Sequence, residues 1–283
     1  MGHPQIATFA RLADGAAQPT RRIEGQKTML ARTMHAISYD EVNDEFVVPQ
    51  AFSQAILTFR AGANGEEAPI RVIQGSRTGL LMPDTLTVDP VNNEIIVPER
   101  GNRLIDSGGF IQVFPREANG NVAAIRRLEG PDTGLAGFMK VAVDPVHDLL
   151  LVSGGRGGLL IFDRTASGNA KPLRIITGGP KSGVRGPSGH FTVYPPTGMI
   201  IATTNPYGDG SGRSTSSLAG PPSDSFVGVW SVEDNGDVPP RWTIVHNIYR
   251  NARGVALDPK HKTLMVSDKG LNAVMTYHFP EIF

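Results

Sequence analysis

His35, Glu99, Lys140 and His190 are residue types that can move protons. Gln50, Asp84, Arg100, Asn205, Arg253, Asp268 and Lys269 are types that can hold a polar molecule while they do so. A lysine beside carboxylates and an arginine would hold an anionic or carbonyl substrate, and a histidine exchanges a proton near neutral pH. A buried lysine with a depressed pKa could also attack a carbonyl as an amine. The same residues admit a metal. Calcium takes about six to eight oxygens, which Asp84, Glu99, Asp268, Asn205 and Gln50 could supply, whereas imidazole suits zinc. Against a cation, Arg100, Lys140, Arg253 and Lys269 belong to the same set, and His35 and His190 show no zinc spacing motif. The cofactor expectation is at most a single divalent ion, calcium or zinc.

These residues are scattered over most of the chain, so only the fold can bring them together. A repeated phrase names that fold. Ile6-Ala7-Thr8-Phe9 precedes Pro19-Thr20-Arg21-Arg22-Ile23-Glu24-Gly25, and Ile56-Leu57-Thr58-Phe59 precedes Pro69-Ile70-Arg71-Val72-Ile73-Gln74-Gly75. Further copies run from Ile111 to Gly130, from Leu160 to Gly178 and, more loosely, from Val227 to Ile244. Between the copies lies a second pair of short β-branched runs, such as Asp84-Thr85-Leu86-Thr87-Val88-Asp89 followed by Glu94-Ile95-Ile96-Val97. Such runs bounded by Gly, Pro and Asn are strands. The repeating unit is four antiparallel strands, A to D from the inside outward, which is a β-propeller blade. Five A strands predict five blades in one domain over 1–283, with six as the alternative. The last blade is expected to be closed by the amino-terminal D strand, leaving one surplus C strand to pair on an outer edge or with another chain.

At the level of architecture the chain resembles NHL-repeat and SMP-30-like propellers. Gly254-Val255-Ala256-Leu257-Asp258 matches their inner strand, and Val274-Met275-Thr276-Tyr277 their third strand. Four of the five inner strands carry Ala36, Thr85, Lys140 or His190 in place of the family glycine. The resemblance implies a fold, and calcium or zinc in the central channel of some relatives, but no particular reaction.

Recurrence separates scaffold from candidate site. Arg21, Arg71, Arg126 and Arg174 share one position of strand D, with Trp242 in the fifth copy, and read as structural clamps to carboxylates or carbonyls. Asp40, Asp89, Asp144 and Asp258 end A strands and are expected to bond turn amides, with His147 and His261 in polar turn roles. The copies stop agreeing at the start of the A strands and just past the B strands. Propeller geometry directs these positions, which hold the residues named at the outset, to one mouth of the channel. An insertion at about 204–226 leaves the fourth B strand on the same side. It lengthens the interval from Phe162 to Trp230 to 68 residues, against 47 to 55 elsewhere. Its glycines form no phosphate loop, and neither Ser211 nor Ser214 sits in a nucleophile elbow.

Balanced charge, 27 basic against 27 acidic residues, gives no footprint for nucleic acid or an anionic membrane. The absence of cysteine removes disulfides and thiolate chemistry. The opening Met1-Gly2-His3-Pro4-Gln5 lacks the charged and apolar regions of a signal peptide, and the expectation is a soluble protein whose export stays open. The expected partner is a small molecule, with no nucleic acid or membrane, and a monomer or small homo-oligomer is anticipated. An enzyme with hydrolase, lyase or isomerase chemistry at the mouth is the first reading. A non-catalytic scaffold for a protein or carbohydrate is the second.

Overall fold

The aspartate that ends an inner strand organises the turn that follows. Asp40 accepts the amides of Val42 (3.1 Å) and Asn43 (3.0 Å), and Asp89 does the same for Val91 and Asn92. Asp144 accepts those of Val146 and His147. Asn43 and Asn92 donate back to their aspartates at 2.8 Å, and His147 Nδ1 holds Asp144 at the same distance. Histidine and asparagine are interchangeable here because both offer a nitrogen at the same reach, so His147 and His261 are turn residues.

The computed structural model describes residues 4–32, 34–101, 108–154, 158–184, 190–204, 226–245 and 249–283. The chain is all-β, with only short 3-10 turns besides strands among the described residues. Strand β1 (Gln5–Thr8) pairs with β2 (Arg21–Glu24). The first blade is β3 (Ser38–Asp40), β4 (Glu45–Gln50), β5 (Ala55–Arg60) and β6 (Arg71–Gln74). The second is β7 (Thr87–Asp89), β8 (Glu94–Glu99), β9 (Phe110–Pro115) and β10 (Arg126–Glu129). The third is β11 (Lys140–Asp144), β12 (Leu149–Ser153), β13 (Gly158–Asp163) and β14 (Arg174–Thr177). The fourth is β15 (Phe191–Tyr194), β16 (Met199–Thr204), β17 (Phe226–Ser231) and β18 (Trp242–Val245). The fifth is β19 (Ala252–Asp258), β20 (Thr263–Asp268) and β21 (Ala273–His278). Strand order within each sheet follows the sequence.

Two compact units divide the chain. One comprises Met1–Glu99 with Ile111–Arg127, the other Arg100–Phe110 with Leu128–Phe283. In the first unit, Val47, Ile56 and Ile73 of blade one pack with Leu86, Val88, Ile95, Val97 and Phe114 of blade two. In the second, Ala142, Leu149 and Leu151 of blade three pack against Phe191, Val193, Ile200 and Ala202 of blade four. Each large aliphatic side chain so buried contributes about 1.5–3 kcal/mol.

Blades are also stitched at their outer strands. The amide of Gly65 donates to the carbonyl of Arg22 (2.7 Å), and that of Glu24 to the carbonyl of Gly65 (3.1 Å). Gly120 and Gly236 make the same pair of bonds with Val72 and Gln74 and with Ile175 and Thr177. A side chain of the same loop then caps the turn after the outer strand. Asn121 accepts the Arg77 amide at 2.7 Å and Asn169 the Asp132 amide at 2.8 Å. Gly75 (φ 129°) must be glycine for this: a Cβ there would meet Asn121 at 2.6 Å.

The fifth blade corrects one expectation. Its sheet has three strands among the described residues, and the amino-terminal D strand, β2, forms a two-stranded sheet with β1. Thr8↔Arg21 and Ile6↔Ile23 reproduce the Thr58↔Arg71 and Ile56↔Ile73 register of the first blade. The strand that looks surplus in the sequence is therefore a well-matched local partner. A short loop closes that pair at less entropic cost than a pairing across the whole chain.

The recurring arginines are clamps, as their recurrence implied. Arg126 forms a two-pronged ion pair with Glu94 (2.9 and 2.9 Å), and Arg71 pairs with Glu45, which also accepts from the buried Arg116 (3.0 Å). Arg21 donates to the Ala61 carbonyl (2.9 Å) and Arg174 to the Val232 carbonyl (2.8 Å).

Candidate functional site

The candidate residues divide between the units, His35, Gln50, Asp84 and Glu99 in the first and Arg100, Lys140, His190, Arg253, Asp268 and Lys269 in the second. Asn205 and nearly all of the 204–226 insertion lie outside the described residues.

In the first unit, the ring of His35 lies just ahead of β3, and its Nδ1 meets Asp84 Oδ1, just ahead of β7. The neighbouring inner strands β3 and β7 thus bring together two residues 49 apart in sequence. The imidazole side chain is 49% exposed and the carboxylate 15%, so Asp84 is the more enclosed partner that orients the ring. Among the described residues Asp84 is the ring's one hydrogen-bond partner, which leaves Nε2 for a ligand. Carrying the Ser38↔Val47 register backward brings His35 level with Gln50, the last residue of β4. Gln50 is fully buried; its Oε1 accepts the Ala31 amide (2.7 Å), and its Nε2 has no partner among the described residues. A buried amide nitrogen without an acceptor is costly, and an acceptor atom of a ligand would satisfy it.

Glu99 is held differently. It is fully buried at the end of β8, and its two oxygens accept the amides of Leu81 (3.1 Å) and Met82 (2.8 Å). In the second unit Asp268, at the end of β20, accepts the amides of Arg250 (2.9 Å), Asn251 (3.0 Å) and Leu271 (2.9 Å). Gln50, Glu99 and Asp268 therefore act alike, each an acceptor at the end of strand B that fastens the loop entering strand A. Acids that look free in the sequence act here as loop anchors.

The second unit gathers cations. Lys140 opens β11, His190 precedes β15, and Arg253 lies at a bulge in β19. Counting back from the residues that end the inner strands, His35, Asp84 and Arg253 share a position, while Lys140 and His190 come one residue later. Lys140 and His190 therefore present the opposite face of their strands. Thr203 accepts the His190 amide (3.1 Å) and donates to the carbonyls of His190 and Arg253, tying β15, β16 and β19 together. The Arg100 guanidinium stacks on Phe138, 4.5 Å from the ring centre. Lys269 is exposed, with its amide on the Asn251 carbonyl.

Sequence reasoning missed Ser153. It is 4% exposed, lies opposite Lys140 in the β11–β12 register, and its hydroxyl has no hydrogen-bond partner among the described residues. A signal existed: the same position is Pro49 and Pro98 in the first two blades and a hydroxyl residue, Ser153, Thr203 and Ser267, in the last three. No group of three or more His, Asp or Glu side chains that could hold a metal ion occurs among the described residues. No helix among them is long and apolar enough to cross a membrane.

Five inner strands, each opening an antiparallel sheet that runs outward in sequence order, decide the architecture. The fold is a β-propeller. Among solved structures it is similar to hydrazine synthase from Kuenenia stuttgartiensis, with a TM-score of 0.57 and 12% identity. That match covers 92% of this chain and 67% of the other. At such identity the likeness concerns the fold alone. Neither a family model nor a curated protein matches this propeller, so the resemblance to NHL-repeat and SMP-30-like chains rests on the residues quoted for it.

Proposed function

We propose that the propeller is an enzyme that moves a proton on a small polar molecule, with His35 as the acid–base group and Asp84 as its orienting partner. The reading rests on one observation: the His35 ring is fixed through Nδ1 by an enclosed carboxylate while its other nitrogen is left to a ligand. Such a carboxylate selects the tautomer with Nε2 as acceptor and stabilises the imidazolium once the proton has moved. The orphan amide of Gln50 supports the same reading, because it can donate to a carbonyl or hydroxyl of the bound molecule. Hydrolase, lyase and isomerase chemistry all use this arrangement. Of the other residues expected to be catalytic, Glu99 enters the proposal only as the anchor of the loop carrying Leu81 and Met82.

A panel of lactones, carboxylic esters and hydroxy acids, followed by pH-stat and by product analysis, tests the reading. A substrate should be found whose turnover falls about a hundredfold or more in His35→Gln, with less effect in Asp84→Asn. Full turnover in His35→Gln would sink it. The second reading, a scaffold that binds a protein, is favoured by Met29, Phe52 and Leu81, which expose apolar side chains on loops of the same unit, Phe52 to 68%. Gln54 Nε2 donates to the Leu81 carbonyl (3.0 Å) and links two of those loops. Substituting Phe52→Ser with Leu81→Ser should leave turnover intact if the enzyme reading holds and abolish binding if the scaffold reading does.

A further inference from the structure

Strands β2, β6, β10 and β14 are each gripped by a loop of the following blade, at Gly65, Gly120, Gly168 and Gly236. At three of these junctions the gripping residues are Asn64-Gly65, Asn119-Gly120 and Asn235-Gly236, which are all the Asn-Gly pairs the chain contains. Each pair holds one strand residue by both its amide and its carbonyl. The Arg22 amide donates to Asn64 Oδ1 (3.2 Å), and the Gly65 amide donates to the Arg22 carbonyl (2.7 Å). Asn119 and Gly120 hold Val72 in the same way (2.9 and 2.6 Å), and Asn235 and Gly236 hold Ile175 (3.1 and 2.7 Å). The left-handed φ of 65°, 79° and 84° calls for glycine, and asparagine supplies the short acceptor.

The clasp is therefore built from the dipeptide least durable toward loss of a side-chain amide. With no Cβ beside it, a glycine nitrogen can reach the Cγ of the asparagine before it. The new N–Cγ bond forms and the Cγ–Nδ2 bond breaks; the glycine proton passes through solvent to the departing nitrogen, which leaves as ammonia. Water then opens the succinimide to aspartate or isoaspartate. The three asparagines are exposed, so water has access. What opposes the reaction is the clasp itself, which commits the glycine N–H to a carbonyl and turns Oδ1 toward the strand amide.

We propose that Asn64, Asn119 and Asn235 are deamidation sites that the native clasp keeps latent, so that each reacts only after its junction has opened and then holds it open. Local opening is how protected groups of a folded chain reach their chemistry. Isoaspartate carries the main chain through Cβ and Cγ, so the altered pair no longer meets the amide and the carbonyl of one residue together. The remaining junction is an internal control. Ser167-Gly168 stands at the same place, the Gly168 carbonyl accepts the Glu129 amide (2.9 Å), and serine has no amide to lose. The inference stands without the His35–Asp84 reading, since none of its residues belongs to that pair.

Peptide mapping of the full chain, aged in mildly alkaline buffer with and without urea, tests it. Liquid chromatography with mass spectrometry follows each asparagine and separates aspartate from isoaspartate. In urea all three sites should react, and in the native chain each should react at least about tenfold more slowly. Asn121 and Glu66 cap the neighbouring turn from the same loops, accepting the Arg77 and Lys27 amides (2.7 and 3.2 Å). Asn121→Ala should therefore speed native loss at Asn119 alone, and Glu66→Ala at Asn64 alone, each severalfold. The native chain should lose thermal midpoint as isoaspartate accumulates, whereas a chain carrying Asn64→Ser, Asn119→Ser and Asn235→Ser should keep its own. Equal rates with and without urea overturn the proposal, as do capping variants that leave every native rate unchanged. An equal loss of midpoint in the aged serine chain overturns the claim that modification holds the junction open.

Discussion

The first two blades and the third and fourth solve one problem in opposite ways. In β4 and β8 the B strand opens with a glutamate, Glu45 or Glu94, and the arginine of strand D in the same blade reaches back to it. In β12 and β16 the B strand opens with Leu149 or Met199. There Arg174 turns instead to the Val232 carbonyl, and Trp242 replaces the arginine and meets Phe279 edge-on, 6.4 Å between ring centres. The arginine is thus kept in the first three blades while its partner changes from ion to carbonyl, and in the fourth blade the residue itself changes and an aromatic contact takes over. Recurrence marks a position where something must be fastened, and it does not say to what.

The largest expected effect breaks the ionic solution. Glu45→Ala takes the ion partner of Arg71 and one of the partners of the buried Arg116, which keeps Asn93 and Glu117, and should cost about 3 kcal/mol in chemical denaturation. Arg174→Ala, which loses one bond to a carbonyl and a loose contact with the exposed Glu233, should cost about 1–2 kcal/mol. Equal costs would show that the two halves are fastened alike.

A middle-sized effect concerns the loop anchors. Glu99→Ala removes an acceptor from two loop amides and should cost roughly 2–3 kcal/mol. His35→Ala, on a half-exposed ring, should leave the melting midpoint within a few degrees. If Glu99→Ala left the midpoint alone and removed a measured activity, Glu99 would move from anchor to catalytic group.

The smallest effect is a pH dependence. The amides of Ser182 and Lys181 donate to Asp237 and hold its carboxyl below the usual carboxylate range. Its contribution to stability is therefore complete above that range and disappears as pH falls through the lowered folded value. Asp237→Asn should flatten part of the acid limb of a stability-against-pH curve and leave neutral stability little changed. The Asn121 and Asn169 caps of the preceding blades cannot titrate and offer the control.

Much of the fold was legible because the same short phrase returns with the same turn chemistry. Asp40, Asp89 and Asp144 mark three inner strands in one line of sequence, and their bonds to turn amides follow from residue type. The pairing of β1 with β2 was not legible, since Ile6-Ala7-Thr8-Phe9 and Val274-Met275-Thr276-Tyr277 are both acceptable third strands and periodicity cannot choose between two edges. The site was less legible than the fold. Glu99 and Asp268 have the composition of catalytic acids, and their bonds to loop amides could not be read from residue type. One clue was present: Gln50, Glu99 and Asp268 all place an acceptor at the same point of strand B, the kind of recurrence that had marked the arginines as scaffold. The His35–Asp84 pair could be named as residues in the sequence, but not as partners across 49 positions.

The stitch at Gly65, Gly120 and Gly236 bears on how such a chain can be cut or copied. The carbonyls of Arg22, Val72 and Ile175 are answered by a loop that belongs to the following repeat. A segment excised at the sequence boundary of one blade would carry an outer strand with its carbonyls unanswered, and would leave the next blade with a glycine turn that grips nothing. The heritable module is therefore offset from the visible one. It begins within one sheet and ends in the loop of the next, so that any duplication preserving the fold copies the clasp together with the strand that it holds.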